Sequence, residues 1–316
     1  MGHRKNGGTT LLSFSARLYC WCTGTGNEKG ELNGTNGTQS VTKGMKLNSI
    51  IHPVAKEWAL DFIQKYHYSP VMPKLTKHFL GFFVDNEPKG VLTLGWGTRP
   101  KQTINKLFPG LDTKHYYEIG KMCLSPEFNG DRGAGSQMIS KIIQWMKKNT
   151  DCLFLYTLAD GIMGKCGYVY QAANFYFGEK YWTETYLMKQ GERLHIRSAG
   201  ELTKINQAME NKELERVEGF VFGKSVKRST RFSHKFMKDN GIRHIEGLMF
   251  RYIYPLNKKA KKLMKEGSAL NWTKDYPKDD ELRWYDKTDK NKQFFIDQPV
   301  FSFPKRSDAT LEKFFV

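Results

Sequence analysis

Residues 115–149 read HYYEIGKMCLSPEFNGDRGAGSQMISKIIQWMKKN, and their reading decides the fold. HYYEIGKMCLSPE alternates well enough for a β-strand. Met138, Ile139, Ile142, Ile143 and Met146 recur at helical spacing, so the last third is an amphipathic helix. Between them, Asn129–Gln137 (NGDRGAGSQ) forms a glycine-rich loop that opens the helix. Glycines let successive backbone N–H groups turn toward one point, and the helix N-terminus adds partial positive charge, so a pyrophosphate can dock there. The same loop can also be a simple turn. It lacks the Lys-Ser/Thr of a P-loop and does not fit the dinucleotide pattern GxGxxG.

Upstream, HPVAKEWALDFIQKYHY (52–68) places Pro53 at a first helical position and Val54, Trp58, Ala59, Phe62 and Ile63 on one face. This predicts a helix ending just before His67 and Tyr68. HFLGFFV and GVLTLGWG, joined by DNEPKG, predict a hairpin. Downstream, DCLFLYTLA predicts a strand in a sheet interior, LADGIMGKCGYVYQAANFYFGE (158–179) a loop and short aromatic helix, and KYWTETYLMK a last strand. The class is α/β, a mixed sheet flanked by helices over residues 45–190. Residues 1–44 are expected to be a flexible N-terminal segment, because 22–44 are rich in Gly, Asn and Thr with almost no apolar periodicity. Residues 191–316 read as a basic C-terminal extension: within 221–265 there are 13 Lys and Arg against two acids.

The net charge of +18 favours a polyanionic partner, nucleic acid first. No window approaches the roughly 20 apolar residues that span a bilayer, so no membrane partner is expected and a cytoplasmic protein is. Five irregularly spaced cysteines fit a reducing compartment.

His67 and Tyr68 are candidates for proton transfer, since imidazole titrates nearest neutrality. Asp160 lies just past a central strand, where open α/β sheets present ligand-contacting groups, or else it caps the helix that follows. Tyr168, Tyr170, Asn174, Phe175, Tyr176 and Phe177 are core packing by their spacing, although a flipped base also needs aromatic faces and an amide. Arg251, Lys258 and Lys259, in FRYIYPLNKKAKK, suit contact with a nucleic-acid backbone.

The loop resembles the Arg-x-x-Gly-x-Gly/Ala loop by which GNAT acyltransferases hold the pyrophosphate of coenzyme A, with Gln137 where a small residue is usual. YHYS (66–69), KMCLSPEFN and SQMISKIIQWMKK (within 121–148) and LADGIMGKCGYVYQAANFYFGE together resemble the Mom family of phage DNA-modification proteins, a divergent GNAT branch, over about residues 48–280. The resemblance implies conversion of adenine in double-stranded DNA to an N6-carbamoylmethyl derivative that protects a phage genome from restriction in the host cytoplasm. It also implies His67, Tyr68 and Asp160 as catalytic residues and as ligands for iron. Arg132, Gly133, Gly135 and Ser136 would hold acetyl-CoA, and Tyr170, Gln171, Asn174, Arg251, Lys258 and Lys259 the DNA. Lys165 stands where relatives carry His in Gly-His-x-Gly.

For such chemistry the poorly nucleophilic adenine amine must be exposed, placed near the donor and relieved of a proton, with Asp160 or His67 as the expected base. Backbone N–H groups near Leu124 and Ser125 would stabilise a thioester oxyanion. Simple acyl transfer gives an amide, so a carbamoylmethyl group needs further chemistry. The competing expectations are a conventional GNAT acetyltransferase acting on a protein or small-molecule amine, and a non-catalytic DNA-binding protein.

Overall fold

A computed structural model describes residues 48–69, 72–97, 99–128, 133–196, 231–289 and 292–302. The expected flexible segment 1–44, Arg132 and the first ten residues of the basic run 221–265 lie outside the described residues.

The strands are β1 (Ser49–Pro53), β2 (Leu75–Val84), β3 (Glu87–Trp96), β4 (Tyr116–Leu124), β5 (Phe154–Asp160), β6 (Tyr176–Leu187), β7 (Arg193–His195), β8 (Arg243–Pro255), β9 (Trp284–Asp289) and β10 (Lys292–Ile296). They form one sheet in the order β1-β2-β3-β4-β5-β8-β6-β7, with β9 pairing both β8 and β10. Every pairing is antiparallel except β4 with β5. The helices are α1 (Lys56–Tyr66), α2 (Pro100–Leu107), α3 (Ala134–Asn149), α4 (Tyr168–Ala172), α5 (His234–Asp239) and α6 (Lys258–Glu266). The expected mixed sheet flanked by helices is what the chain forms.

Both sheet faces are covered. On one, Met138, Ile139, Ile142 and Met146 of α3 pack on Leu80, Leu92, Leu155 and Phe250, and Val169 and Tyr170 of α4 pack against this core. On the other, α1 lays Ala59, Phe62 and Ile63 on Val91 and Cys123, while α2 and α6 bury Ile104, Leu107, Ala260 and Met264 among Tyr116, Phe154 and Ile253. The β2–β3 hairpin turns through Asp85 and Asn86, both at positive φ (49° and 65°), which suits the right-handed twist of its strands.

Two sequence expectations shift. Pro53 ends β1 opposite Leu80 rather than opening a helix, because its missing N–H is tolerated on an edge strand; α1 starts three residues later. And β8, from beyond residue 190, lies between β5 and β6. Its apolar alternation, in RHIEGLMFRYIYP, is buried along most of its length and is no surface run.

The pairing of β4 and β5 is short. It joins Tyr116–Glu118 to Phe154–Tyr156 and stops there. Beyond that point β4 continues along β3 as far as Leu124, and β5 continues along β8 as far as Asp160 opposite Met249. A wedge therefore opens between Ile119–Leu124 and Thr157–Asp160. Gly161, the first residue past β5, runs so close to β8 that a Cβ would collide with the Leu248 carbonyl and lie 2.8 Å from the Phe250 ring. Gly161→Ala should lose about 1–3 kcal/mol in urea unfolding as β5 and β8 are forced apart.

Candidate functional site

Five segments bring side chains to the wedge. Lys121, on β4, donates from Nζ to the Ser69 carbonyl (2.7 Å) and hydroxyl (3.2 Å), just beyond α1. The Ser69 N–H in turn donates to His67 Nδ1 (2.9 Å), so neutral His67 carries its proton on Nε2. The His67 ring stacks on Tyr68 with centroids 4.4 Å apart, and Lys165 Nζ, from the loop after β5, stands 4.0 Å from the Tyr68 ring centroid. Asp160, at the end of β5, is gripped by Arg193 of β7: Nη1 reaches Oδ2 and Nη2 reaches Oδ1 at 3.4 Å, while Arg193 Nε donates to Thr185 Oγ1 (3.3 Å).

The electrostatics follow from burial and this crowd of cations. Burial, with the Lys121 and Lys165 charges, holds the His67 imidazole well below its ordinary range, so it is neutral near pH 7. Burial and the Arg193 guanidinium lower the Lys121 ammonium to about 8, opposed by Asp160 and Cys123. Burial and Asp160 push the Tyr68 phenol up, keeping it protonated.

The sequence pointed to His67, Tyr68 and Asp160, and the structure brings them to one place. It adds Lys121, Arg193 and Glu118. Glu118 occupies the last paired position of β4, opposite Tyr156, at the apex of the wedge. Burial raises its carboxyl to about 7, opposed by a hydrogen bond from the Gly97 backbone. Tyr156 accepts from Arg251 Nε (3.1 Å); Arg251 also pairs with Glu179 and lies 5.1 Å from the Tyr181 ring centroid. Met249 sits opposite both Asp160 and Tyr181, and Arg251 opposite Leu158, which puts Arg251, Tyr181 and Asp160 on one sheet face.

Other expected residues are elsewhere. Gln171 Nε2 donates to the Tyr252 hydroxyl and the Pro277 carbonyl, each at 3.0 Å, and Asn174 turns the chain at φ 63°. Gln171 thus fastens α4 to its surroundings, and Asn174 turns the chain out of it. Tyr170 packs on Phe175 and Tyr252, yet its hydroxyl bonds Thr157 and lies within electrostatic reach of Glu118 and Tyr68, so it approaches the wedge through the sheet. Gly133 caps α3 at φ 107°, Ser136 Oγ donates to its carbonyl (2.9 Å), and buried Gly135 lies in the first turn, which carries no acid. Ser125 N–H donates to the Lys89 carbonyl (2.9 Å), which corrects the expectation that it serves an oxyanion. Lys258 and Lys259 are exposed at the start of α6, about 20 Å from Asp160 along the sheet at 3.3 Å per residue.

A model of the Mom protein family matches residues 48–278, nearly three quarters of the chain. The chain belongs to the Mom protein family. Membership supports DNA modification as the broad function. No curated protein matches the chain. Among solved structures it is similar to a GNAT family N-acetyltransferase from Escherichia coli in complex with CoA (12% identity, 42% of this chain and 70% of that one, TM-score 0.30). It is also similar to a Bacillus subtilis acetyltransferase in complex with CoA (13%, 67% and 100%, TM-score 0.33).

In this Mom family member the residues expected to hold iron do not fit a resident cation. Both Asp160 oxygens face the Arg193 guanidinium, His67 Nδ1 is occupied by Ser69, and Lys121 and Lys165 crowd the same space. Among the described residues no group of three His, Cys, Asp or Glu could hold a metal. The guanidinium grip likewise makes Asp160 an anchor rather than a free base. Arg193→Met strands that carboxylate, and a loss of about 2 kcal/mol in urea unfolding is expected. Adding Asp160→Asn should recover much of it, a coupling that a double-mutant cycle measures.

Proposed function

We propose that this protein modifies the N6 amine of adenine in double-stranded DNA, with Glu118 as the proton acceptor. One observation carries the assignment of the base: a carboxyl raised to about 7, at the apex of a wedge between parted strands. An acid tuned near the working pH is ionised often enough to accept a proton and basic enough to hold it.

The adenine has to leave the duplex stack to reach the wedge. Tyr181 offers an aromatic face within electrostatic reach of Glu118, and Arg251, tied to the buried Tyr156 hydroxyl, lies against that ring with N–H donors for a ring nitrogen. The overall charge of +18 and the exposed lysines of α6 suit attraction of the phosphate backbone. A donor of the acetyl-CoA class would place its pyrophosphate at the start of α3, where Gly133 turns the chain and the first helical turn carries no acid. Attack of the amine on a thioester forms the C–N bond of an amide as the C–S bond breaks; the amine proton passes to Glu118 and the CoA sulfur leaves as thiolate, to be protonated to the free thiol. The carbamoylmethyl derivative and protection from restriction in a host cytoplasm are the family's implication, whereas what the described residues of the wedge supply is proton transfer, which plain acyl transfer needs. That favours, as a second reading, a conventional acetyltransferase using the same base on another amine.

Nucleoside mass spectrometry of DNA from expressing cells should reveal a modified deoxyadenosine; unmodified DNA, with acetyl appearing on a protein or small amine instead, selects the second reading. The rate should rise as pH passes about 7 and Glu118 ionises. Glu118→Gln should lose at least 100-fold in rate, together with that limb. Because the raised carboxyl favours the protonated folded form, Glu118 costs stability as pH climbs from its unfolded value through about 7. The glutamine variant should therefore melt higher than the parent at pH 8.

A further inference from the structure

β4 carries a bulge. Ile119 pairs with Leu94 and Lys121 with Thr93, so Gly120 is one residue too many for β3, and the Lys121 N–H donates to the Thr93 hydroxyl (2.9 Å). Strict alternation would put residues 118 and 121 on opposite faces. The extra residue reverses it: Glu118 lies opposite Tyr156, which packs beneath α2 and α6, and Lys121 comes two before Cys123, which packs beneath α1 on the same face. Glu118 and Lys121 therefore share a face, about 7 Å apart along the backbone, because their partners Gly95 and Thr93 are two positions apart on β3. Ser69 accepts two of the three Lys121 N–H groups, which leaves one for a substrate atom. Along residues 119–124, the β4 edge of the wedge, the other ionisable side chain is Cys123, whose buried thiol is pushed up to about 12.

We propose that Lys121 is the general acid of the acyl transfer, giving a proton to the departing sulfur while Glu118 takes one from the attacking amine. The inference rests on the reading above, with Glu118 as base and a thioester as donor. As the C–N bond forms, the C–S bond breaks and its electron pair goes to sulfur; a Lys121 Nζ–H passes its proton there, which leaves a free thiol and a neutral lysine. Solvent then returns a proton to Lys121 and takes one from Glu118, so the net change moves one proton from the acceptor amine to the thiol. The proton affinities match: an alkyl thiol titrates at about 8.5, and burial brings the Lys121 ammonium to about 8. Neutral His67, Tyr68 with its raised phenol and Arg193 hold their protons more tightly. Lys165 comes from the loop past β5 and lies against the Tyr68 ring, off the β4 edge.

Thiol release by the full chain tests this, from acetyl-CoA with duplex DNA or a polyamine as acceptor, and from nitrophenyl thioacetate, whose acidic thiol leaves without needing a proton. With acetyl-CoA, Lys121→Met should lose at least tenfold in kcat with KM within about threefold of the parent. Lys121→Arg should lose as much, because a guanidinium keeps the charge and holds its proton. With the activated thioester both losses should shrink to within about threefold. Parent turnover of acetyl-CoA should also fall as pH passes about 8 and Lys121, with Arg193, Asp160, Cys123 and His67 around it and Lys165 across from it, loses its proton; both variants should lack that fall. A lysine that merely holds Ser69, or binds the donor by its charge, behaves otherwise: arginine restores the rate, or both thioesters suffer alike, and either result overturns the proposal. If Lys121→Met fails to fold, Lys121→Arg carries the same comparison. Modified deoxyadenosine formed without release of thiol sinks this inference alone. Lys121-dependent transfer to the polyamine, with DNA never modified, sinks the DNA reading alone, and neither thiol nor modified nucleoside overturns both.

Discussion

The parting of β4 from β5 depends on β8. A strand inside a sheet must satisfy its backbone N–H and C=O groups on both edges, and β5 gives up one edge after Tyr156. It can do so because β8 pairs it along its whole length, from Pro255 opposite Phe154 to Met249 opposite Asp160. Without that antiparallel neighbour β5 would have little to hold it once it left β4. The wedge, the apical position of Glu118 and the reach of Asp160 toward β7 all follow from this one exchange of partners.

The same burial acts on two residues of β4 in opposite chemical senses. Glu118 and Lys121 lie three positions apart, and low solvation moves each toward its neutral form, the acid up to about 7 and the base down to about 8. Their ranges almost meet near neutrality. One strand thus presents a group able to take a proton and, three residues on, a cation only modestly committed to its charge.

Local patterns in the sequence were legible where local physics fixed them. The periodicity of residues 138–146 gave α3, the run before His67 gave α1, and an apolar strand followed by Asp160 gave a carboxylate at a strand end. Pairing over long separations was not legible. Arg193 sits 33 residues from Asp160, in a three-residue strand with no periodicity to announce it. Glu118 is hidden among aromatics in HYYEIG, and only the register with Tyr156 makes it apical. Gln171 looked like a reader of a base, but its amide ties α4 to both the Tyr252 hydroxyl and the Pro277 carbonyl, partners far off in sequence.

The Arg193 grip has a further tie. Its turn is knitted to the far end of the described chain: Ser302 N–H donates to the Gly191 carbonyl, Glu192 bridges Ser302, and the Arg193 guanidinium lies 5.7 Å from the Phe301 ring centroid. During synthesis the first six strands emerge before the ribosome has made β8 or the residues that steady Arg193. The candidate site is therefore completed last, by segments more than 230 residues apart, and a nascent chain that ends before Arg193 carries Asp160 without its clamp.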